Sequence, residues 1–229
     1  MTSLRRLDLR AALLLLAADA LLLAVGVSYG LAQARDPAAP WPELWQFDHD
    51  WGLAEMLNYG KWLLAAGVLL AGWRRGRAPV LLAAAFVMAL ACADDALQLH
   101  ERGGVALALA TGLHERLGGL AFQLGEIAVW AALGLACLLP LVMGWRRADA
   151  ALRRRLRPLG ALFLGVALFA MGVDTLHTLA GLALPGRPLV GGAFMVIEGA
   201  GENMLLSLLA AYALGAFRPA ALPDPVPAR

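Results

Sequence analysis

Acidic side chains recur within long apolar stretches of this chain, where ionisable groups are rare. Eight acids are candidates for chemistry on this ground: Glu55, Asp94, Asp95, Glu101, Glu126, Asp174, Glu198 and Glu202. An ionisable group inside a lipid bilayer costs several kcal/mol, about 2.5–3.5 on insertion scales, so each needs a partner or a function. His100 and His177 accompany the acids, and Lys61 is the only fixed base in the same zone. This excess of carboxyl groups predicts that some of them are protonated or that they surround a cation.

The spacing of these residues places several of them on common helix faces. Glu198 and Glu202 are four residues apart, and Asp174 and His177 are three apart, so each pair shares one face of a helix. Carboxylates combined with imidazole and without thiolates suit Zn, Fe or Mn. We therefore predict a divalent metal ion held by ligands from one set of residues: Asp94, Glu101, Asp174, His177, Glu198 and Glu202.

Two residues of the same zone are predicted to do acid–base chemistry. Glu126 would act as a general acid or base, or would support a metal ligand. His100 would take part in catalysis or serve as a reserve ligand. The metal would polarise a carbonyl or phosphoryl group or lower the pKa of its bound water, and with iron the reaction could equally be redox.

The composition sets the class of protein that must hold these groups. Of 229 residues, 61% are hydrophobic and 16% are charged, whereas soluble domains average about 45–50% and about 25%. Two cysteines exclude a disulfide scaffold, the apolar content excludes disorder, and a net charge of +2 gives no support to nucleic-acid binding. The chain is therefore predicted to be an all-α, multi-pass membrane protein.

Six stretches are long and apolar enough to cross a bilayer, which needs about 20 residues. They cover residues 11–31, 52–73, 78–98, 117–145, 158–184 and 190–217. Fourteen basic residues fall on one side of this topology and four on the other. This bias predicts that both termini lie on the cytoplasmic side of a bacterial inner membrane. Residues 1–217 would form a single domain and residues 218–229 a disordered tail. The first stretch could alternatively be a cleaved signal peptide.

Counting along the predicted spans brings the polar groups of five helices to the outer half of the bilayer. Asp94 and Asp174 lie about 24 Å along outward-running spans, and Glu126, Glu198 and Glu202 lie about 12–18 Å into inward-running ones. Scattered structural polar residues would not be expected to agree in depth. We therefore predict one shared site that faces outward, with membrane lipids as its surroundings.

A short repeat lies at the outer surface. Leu99-His100-Glu101-Arg102 recurs as Leu113-His114-Glu115-Arg116. Residues 103–112 between the two copies are too few to span a bilayer and are predicted to form an interfacial or re-entrant segment that could cover the site. The arginine-rich residues 145–157 are predicted to form an interfacial helix.

The segment Asp94-Asp95-Ala96-Leu97-Gln98-Leu99-His100-Glu101 resembles one found in a group of uncharacterised bacterial multi-pass proteins. They carry an acidic pair and then His-Glu at the end of one span, with further acids in later spans. The resemblance covers spans two to six and implies a fold type without an activity. Ceramidase-like membrane hydrolases have a zinc site of three histidines with Asp and Ser, but their His-x-x-x-His pair is absent here, so we do not adopt that family.

Three functions fit these observations. The first is a metal-dependent membrane enzyme, a hydrolase or an oxidoreductase, acting on a lipid or an apolar small molecule. The second is a cation- or proton-coupled transporter or sensor, in which the acids are protonation sites. The third is a non-catalytic subunit that binds a lipid or a protein partner. For the deeply placed acids, a purely structural hydrogen-bond network is the competing interpretation.

Overall fold

The computed structural model describes residues 6–36, 38–46, 49–184 and 187–218, without the side chains of residues 188 and 189. The described part of the chain is helical and contains no strand, which confirms the all-α prediction. Its α-helices are α1 (Leu9–Arg35), α2 (Leu53–Gly76), α3 (Pro79–Leu97), α4 (Leu99–Ala110), α5 (Leu113–Leu117), α6 (Gly119–Arg147), α7 (Ala150–Ala167), α8 (Asp174–Ala183) and α9 (Pro188–Phe217). Residues 219–229, where a disordered tail is predicted, lie outside the described residues.

Five helical segments are long and apolar enough to cross a membrane. They are Leu9–Arg35, Pro79–Leu97, Gly119–Arg147, Ala150–Ala183 and Val190–Phe217. Many of their leucines face outward; Leu13 and Leu14 of α1, for example, are 69% and 72% exposed. Apolar side chains in continuous exposed bands are typical of a surface that contacts lipid. The chain is therefore an integral membrane protein by this criterion.

Helix α2 corresponds to the second of the six predicted spans, and it is the one that these five segments do not include. It has 24 residues but carries Glu55 and Lys61 within it and two arginines in its last turn. It packs between α3 and α9, and Lys61 is only 1% exposed. Burial by its neighbours explains how α2 holds polar groups that a lipid-facing helix could not. Its crossing of the membrane remains a prediction, as does the orientation of the termini.

Local sequence signals set several helix ends. Asp8 caps α1 by accepting a hydrogen bond from the backbone N–H of Ala11 (3.1 Å), and Asp149 caps α7 in the same way through Leu152 (2.7 Å). Pro79 occupies the first turn of α3, where its missing N–H costs nothing. Asp149 thus starts α7 well before residue 158, and the arginine-rich segment forms the end of α6 and the first turns of α7 instead of a separate interfacial helix.

Antiparallel packing brings the arginine-rich ends of the helices together, and we call this the basic end. Gly144 near the end of α6 is so close to Val80 of α3 that a Cβ on Gly144 would lie 2.7 Å from the Val80 Cα. Tyr212 Oη of α9 donates a hydrogen bond to the carbonyl of Arg155 in α7 (2.9 Å). The apolar core at this end joins α2, α3, α7 and α9.

A bend at Gln98 separates α3 from α4. Gln98 has a φ of 54°, a left-handed conformation that residues other than Gly adopt rarely. Beyond it, α4 continues along α6: the ring of His100 packs against that of Trp130, and Gly104 lies against Glu126. The segment predicted as interfacial or re-entrant belongs mostly to helix α4, which continues from α3 along α6, and its placement in the membrane stays a prediction.

The membrane segment Ala150–Ala183, the fourth of the five, contains a wide turn. Helix α7 passes without a break into a π-helical stretch, Leu168–Val173, which leads directly into α8. Such π-helical turns are rare and are frequently found at functional sites. This one places Asp174 at the first position of α8.

A buried network joins α1, α2 and α9, and we call its members the Lys61 network: Asp19, Asn58, Lys61, Asn203 and Ser207. Lys61 Nζ donates to Asp19 Oδ1 (2.5 Å), to Asn58 Oδ1 (3.0 Å) and to the Asn203 carbonyl (3.2 Å). Ser207 Oγ donates to the other Asp19 oxygen (2.6 Å), and the two asparagine side chains bond to each other. Removal of α1 would leave the Lys61 ammonium buried without its carboxylate, so we expect α1 to stay in the mature bundle.

Candidate functional site

A cavity of about 350 Å³ opens towards the end of the bundle opposite the basic end, and we call it the polar cavity. Its titratable lining residues come from α2, α3, α4, α6, α8, α9 and the first loop: Asp50, Glu55, Asp95, His100, Glu101, Glu126, Asp174, His177, Glu198 and Glu202. None of the described residues that line it is Lys or Arg. Seven of the eight predicted site residues therefore share one cavity, and Asp94 is the exception.

Asp174, His177 and Glu198 come closest to forming a metal site. Each offers one ligand atom, and the three atoms lie within 4.8 Å of one another. His177 Nδ1 is 3.9 Å from Glu198 Oε2, and the imidazole stacks on Phe194 with the ring planes 5° apart. Two elements supply these atoms, because α8 carries Asp174 and His177 and α9 carries Glu198.

Gln123 of α6 orients this cluster and was not singled out in the sequence. Its Nε2 donates to Asp174 Oδ2 (2.6 Å), while its Oε1 accepts from Thr178 Oγ1 (3.2 Å). A buried amide that donates to a carboxylate fixes the direction of the second carboxylate oxygen. The only sequence signal for Gln123 is a polar residue one turn before Glu126.

Asp94 makes three hydrogen-bond contacts. Its Oδ2 accepts from Trp130 Nε1 (2.6 Å) and lies 3.1 Å from His100 Nδ1, while its Oδ1 accepts from the His100 backbone N–H (3.0 Å). These contacts hold His100 against α6 with its other ring nitrogen on the cavity side, 3.8 Å from Glu101 Oε1. Asp94 is therefore placed to orient His100, and its role as a metal ligand stays a prediction.

The charges around α4 alter proton affinity at the rim of the cavity. Burial by itself would lower the pKa of His100, but the hydrogen bond to Asp94 and the charge of that carboxylate more than offset it, so the pKa lies above its ordinary value. Burial raises the pKa of Glu101, and the nearby Asp50 raises it further. Both groups therefore hold protons more tightly than they would in water.

Close helix packing brings Glu126 to the cavity. Gly104 of α4 lies so near to α6 that a Cβ there would be 2.6 Å from the backbone nitrogen of Glu126. Gly125 contacts the Gly104 backbone in return. This pair of glycines allows α4 and α6 to touch and puts Glu126 and Glu101 on walls of the same cavity.

Three acids line the cavity without a role in the prediction. Trp62 Nε1 donates to Asp95 Oδ2 (2.9 Å), so this acid faces the interior and not the water beyond the span. Gln98 Nε2 donates to Asp50, which ties the first loop to the bend between α3 and α4. Glu55 reaches the cavity from the first turn of α2. Asp50 lies in a loop, where periodicity gives no signal.

The two copies of the Leu-His-Glu-Arg repeat have different surroundings. His100 and Glu101 line the polar cavity, whereas His114 and Glu115 do not. In the second copy, His114 Nδ1 lies 3.4 Å from the Ala108 carbonyl and Glu115 is exposed on the short helix α5. The repeat therefore does not form a pair of equivalent sites.

A second cavity, of about 310 Å³, adjoins the first on the side of the basic end, and we call it the apolar cavity. The two cavities share four lining residues: Asp95, Trp130, Ala170 and Glu202. Ala170 belongs to the π-helical stretch, so this wide turn forms part of the junction. Asp94, the predicted site residue that is absent from the polar cavity, lines this one.

A family model described as a domain of unknown function, DUF8692, matches residues 9–216. The chain belongs to this family. The match runs from the first turn of α1 to the last turn of α9 and so includes both cavities and the Lys61 network. It agrees with the resemblance to uncharacterised proteins and assigns no activity. No curated protein and no solved structure matches this DUF8692 chain.

Proposed function

We propose that this protein is a metal-dependent membrane enzyme whose site faces the outside of the cytoplasmic membrane and acts on a lipid or an apolar small molecule. The observation that carries the proposal is the convergence of Asp174, His177 and Glu198 within 4.8 Å. Their position in a cavity that also holds acid–base groups distinguishes them from an isolated surface cluster.

The donor set fits a divalent transition metal. Two carboxylate oxygens and one imidazole nitrogen suit Zn, Fe(II) or Mn, and three protein ligands leave a coordination position for water or substrate. Gln123 would hold Asp174 in the direction that ligation needs. A metal bound there would polarise a substrate oxygen or activate water. Glu202, one turn from Glu198 and also in the cavity, is the nearest further carboxylate along α9.

His100 and Glu126 line the same cavity from two further helices, α4 and α6. Asp94 fixes the imidazole through Nδ1, which leaves the second ring nitrogen to take or give a proton. Glu126 borders the same space and can exchange a proton with it. We therefore keep both residues as acid–base groups and assign Asp94 as the residue that positions His100.

The orientation of the site follows from the arginines. The basic end carries the arginine-rich termini of α2, α6 and α7, and positively charged flanks face the cytoplasm. The polar cavity lies at the other end, so it would face the periplasm or the cell exterior. This placement uses six crossings, with α2 as a span inside the bundle.

Elemental analysis of the purified protein tests the proposal. We expect about one Zn, Fe or Mn per chain, and a loss of at least about tenfold in affinity when a ligand is removed in Asp174→Asn or Glu198→Gln. His114→Ala and Glu115→Gln remove the same residue types outside the cavity and should leave the metal content unchanged. No bound metal after reconstitution with all three ions, or equal losses in the control variants, would overturn it.

A cation- or proton-coupled transporter is the second candidate, because the Lys61 network extends polar groups beyond the cavity towards the basic end. Past this network, the described core at the basic end is formed by apolar side chains such as Leu69, Leu81 and Leu209. A through-path would need polar groups there. Proton uptake on ion addition, without tightly bound metal, would favour this function.

A further inference from the structure

The apolar cavity is open to the lipid side of the bundle. Consecutive spans α6 and α7 border it, yet α6 packs on α3 and α4 whereas α7 packs on α9. Gly134 of α6 lines the cavity and is exposed, and a Cβ placed on it would meet no atom within 4 Å. A molecule dissolved in the bilayer could therefore reach the cavity sideways between the two helices.

The lining of this cavity is mainly apolar, as expected of a site that binds a hydrocarbon chain. Side chains such as Val87, Leu133, Phe163 and Val166 line it. The acids in its lining are Asp94, Asp95 and Glu202, and the last two belong to the junction with the polar cavity. Along α6 the lining runs from Trp130 to Leu141, a length of about 16 Å by helical rise. An elongated apolar chain fits this shape better than a compact solute does.

The junction makes the two cavities one amphipathic space. Asp95, Trp130, Ala170 and Glu202 belong to both, so a ligand can have its apolar part in one and its polar part in the other. Each volume is near the lower end of the roughly 300–1,000 Å³ range of small-molecule pockets. The apolar part would point towards the membrane interior, which is the orientation of a lipid in the outer leaflet.

The charge of the polar cavity restricts the head group. Eight carboxyl groups and two imidazoles line it, and its described lining contains no Lys or Arg. An anionic head group would be desolvated next to carboxyl groups that outnumber the charge of one divalent ion, without a fixed positive side chain in that lining, which is unfavourable. A head group that is uncharged or cationic meets no such penalty.

We propose that the substrate of the proposed enzyme is a lipid with one hydrocarbon chain and a head group without negative charge. Its chain lies in the apolar cavity between α6 and α7, and its head lies in the polar cavity beside Asp174, His177 and Glu198. The statement about reaction rests on the proposed function, whereas the statement about binding stands on the two joined cavities.

Photocrosslinking in phosphatidylcholine nanodiscs tests the binding mode. The probes share one alkyl chain with a mid-chain diazirine and differ in the head: a quaternary ammonium, an uncharged diol or a phosphate. We expect the first two probes to label the lining of the apolar cavity on α6 and α7 in preference to other lipid-facing surfaces. Gly134→Leu should fill the space and reduce this labelling by at least about tenfold.

Gly160→Leu is the matched control, because Gly160 is an exposed glycine of α7 whose added Cβ also meets no atom within 4 Å, and it does not line the cavity. It should label like the wild type. Labelling spread evenly over the lipid-facing helices, or insensitive to Gly134→Leu, would overturn the chain site. Equal labelling by the phosphate probe would overturn the restriction on the head group.

Metal content separates this inference from the proposed function. Gly134→Leu should bind as much metal as the wild type, because Gly134 does not line the polar cavity. If the protein binds no metal but still labels in the apolar cavity, the enzyme proposal fails and the lipid site stands. If metal binds and the labelling is absent, the lipid site fails alone.

Discussion

The Lys61 network and the polar cavity contain similar polar residues but differ in how their charges are balanced. In the network, one ammonium faces one carboxylate, and the surrounding amides and hydroxyl complete the hydrogen bonds in a buried space. In the cavity, eight acids line about 350 Å³ of open space with two histidines. The first arrangement balances its charge internally, and the second does not.

This difference indicates which cluster stabilises the fold and which can act on a ligand. A buried charge pair with all its partners is costly to disturb from one side only. A cluster with excess carboxylates gains from a bound cation or from protons. We therefore expect substitutions in the network to change stability, and substitutions in the cavity to change binding.

The largest expected effect is that of Lys61→Met. It leaves the Asp19 carboxylate buried without its ammonium, which costs about 3–5 kcal/mol in known cases of broken buried pairs. Thermal unfolding in detergent should show the loss. The double variant Asp19→Leu with Lys61→Met removes both charges and should recover much of the stability; a double variant as unstable as the single one would contradict the account.

A smaller loss is expected for Gly104→Ala. The added Cβ would lie 2.6 Å from the Glu126 backbone nitrogen, so α4 and α6 would have to separate. Overpacking of this kind costs about 1–3 kcal/mol. Gly134→Ala on α6 is the control, because a Cβ added there meets open space, and it should unfold like the wild type. Equal unfolding temperatures for both variants would argue against the close contact of α4 and α6.

The change in stability with pH should be smaller than the effect of Gly104→Ala, and it follows from the protonation of His100. Its pKa in the folded protein is above the ordinary value of 6.5, so the folded state holds this proton more tightly than the unfolded state does. The stabilisation is complete below pH 6.5 and is lost as the pH rises through the higher folded-state value. The contribution of Glu101 to stability also falls with rising pH, because its pKa is raised as well.

Unfolding of metal-free protein measured across this pH range checks the effect. Stability should fall as the pH rises above 6.5, and His100→Gln should remove much of that slope. A stability that rises over the same interval, or a slope unchanged in His100→Gln, would show that His100 does not hold its proton as the contacts with Asp94 require.

The smallest change in stability is expected for the cavity acids. Glu198→Gln and Asp174→Asn replace a carboxylate by an isosteric amide at the border of open space, so metal-free protein should unfold within about 0.5 kcal/mol of the wild type. The same variants should lose metal affinity. A loss of several kcal/mol would mean that the cavity, like the Lys61 network, is a structural cluster.

The sequence was sufficient for the class of fold and for the grouping of the polar residues. Apolar length predicted the membrane helices, and spacing within each helix put Asp174 with His177 and Glu198 with Glu202. Depth along the helices then indicated a common level. These are local properties of a helix, so they can be counted without knowledge of its neighbours.

Partners across helices could not be counted in this way. Lys61 pairs with Asp19, 42 residues earlier, and Asp94 bonds to Trp130, 36 residues later. The sequence therefore grouped Asp94 with the metal ligands although its oxygens face His100 and Trp130. Which carboxylate meets an N–H donor depends on the rotation of two helices, and periodicity leaves that rotation open.

The hydrophobic pattern of the sequence also could not predict two backbone irregularities. Gln98 adopts a left-handed conformation without being Gly or Asn, and the π-helical stretch Leu168–Val173 has an ordinary apolar sequence. Both irregularities lie beside the cavities. The bend at Gln98 directs α4 along α6, and the wide turn brings Ala170 to the junction of the two cavities.

Anomalous diffraction from crystals soaked with Zn²⁺ tests the central claim most directly, since it locates the ion without reference to activity. We expect one strong peak at about 2.0–2.2 Å from a His177 ring nitrogen and from a carboxylate oxygen of Asp174 and of Glu198. A strong peak at other residues, or no peak in a polar cavity that is visibly intact, would contradict it.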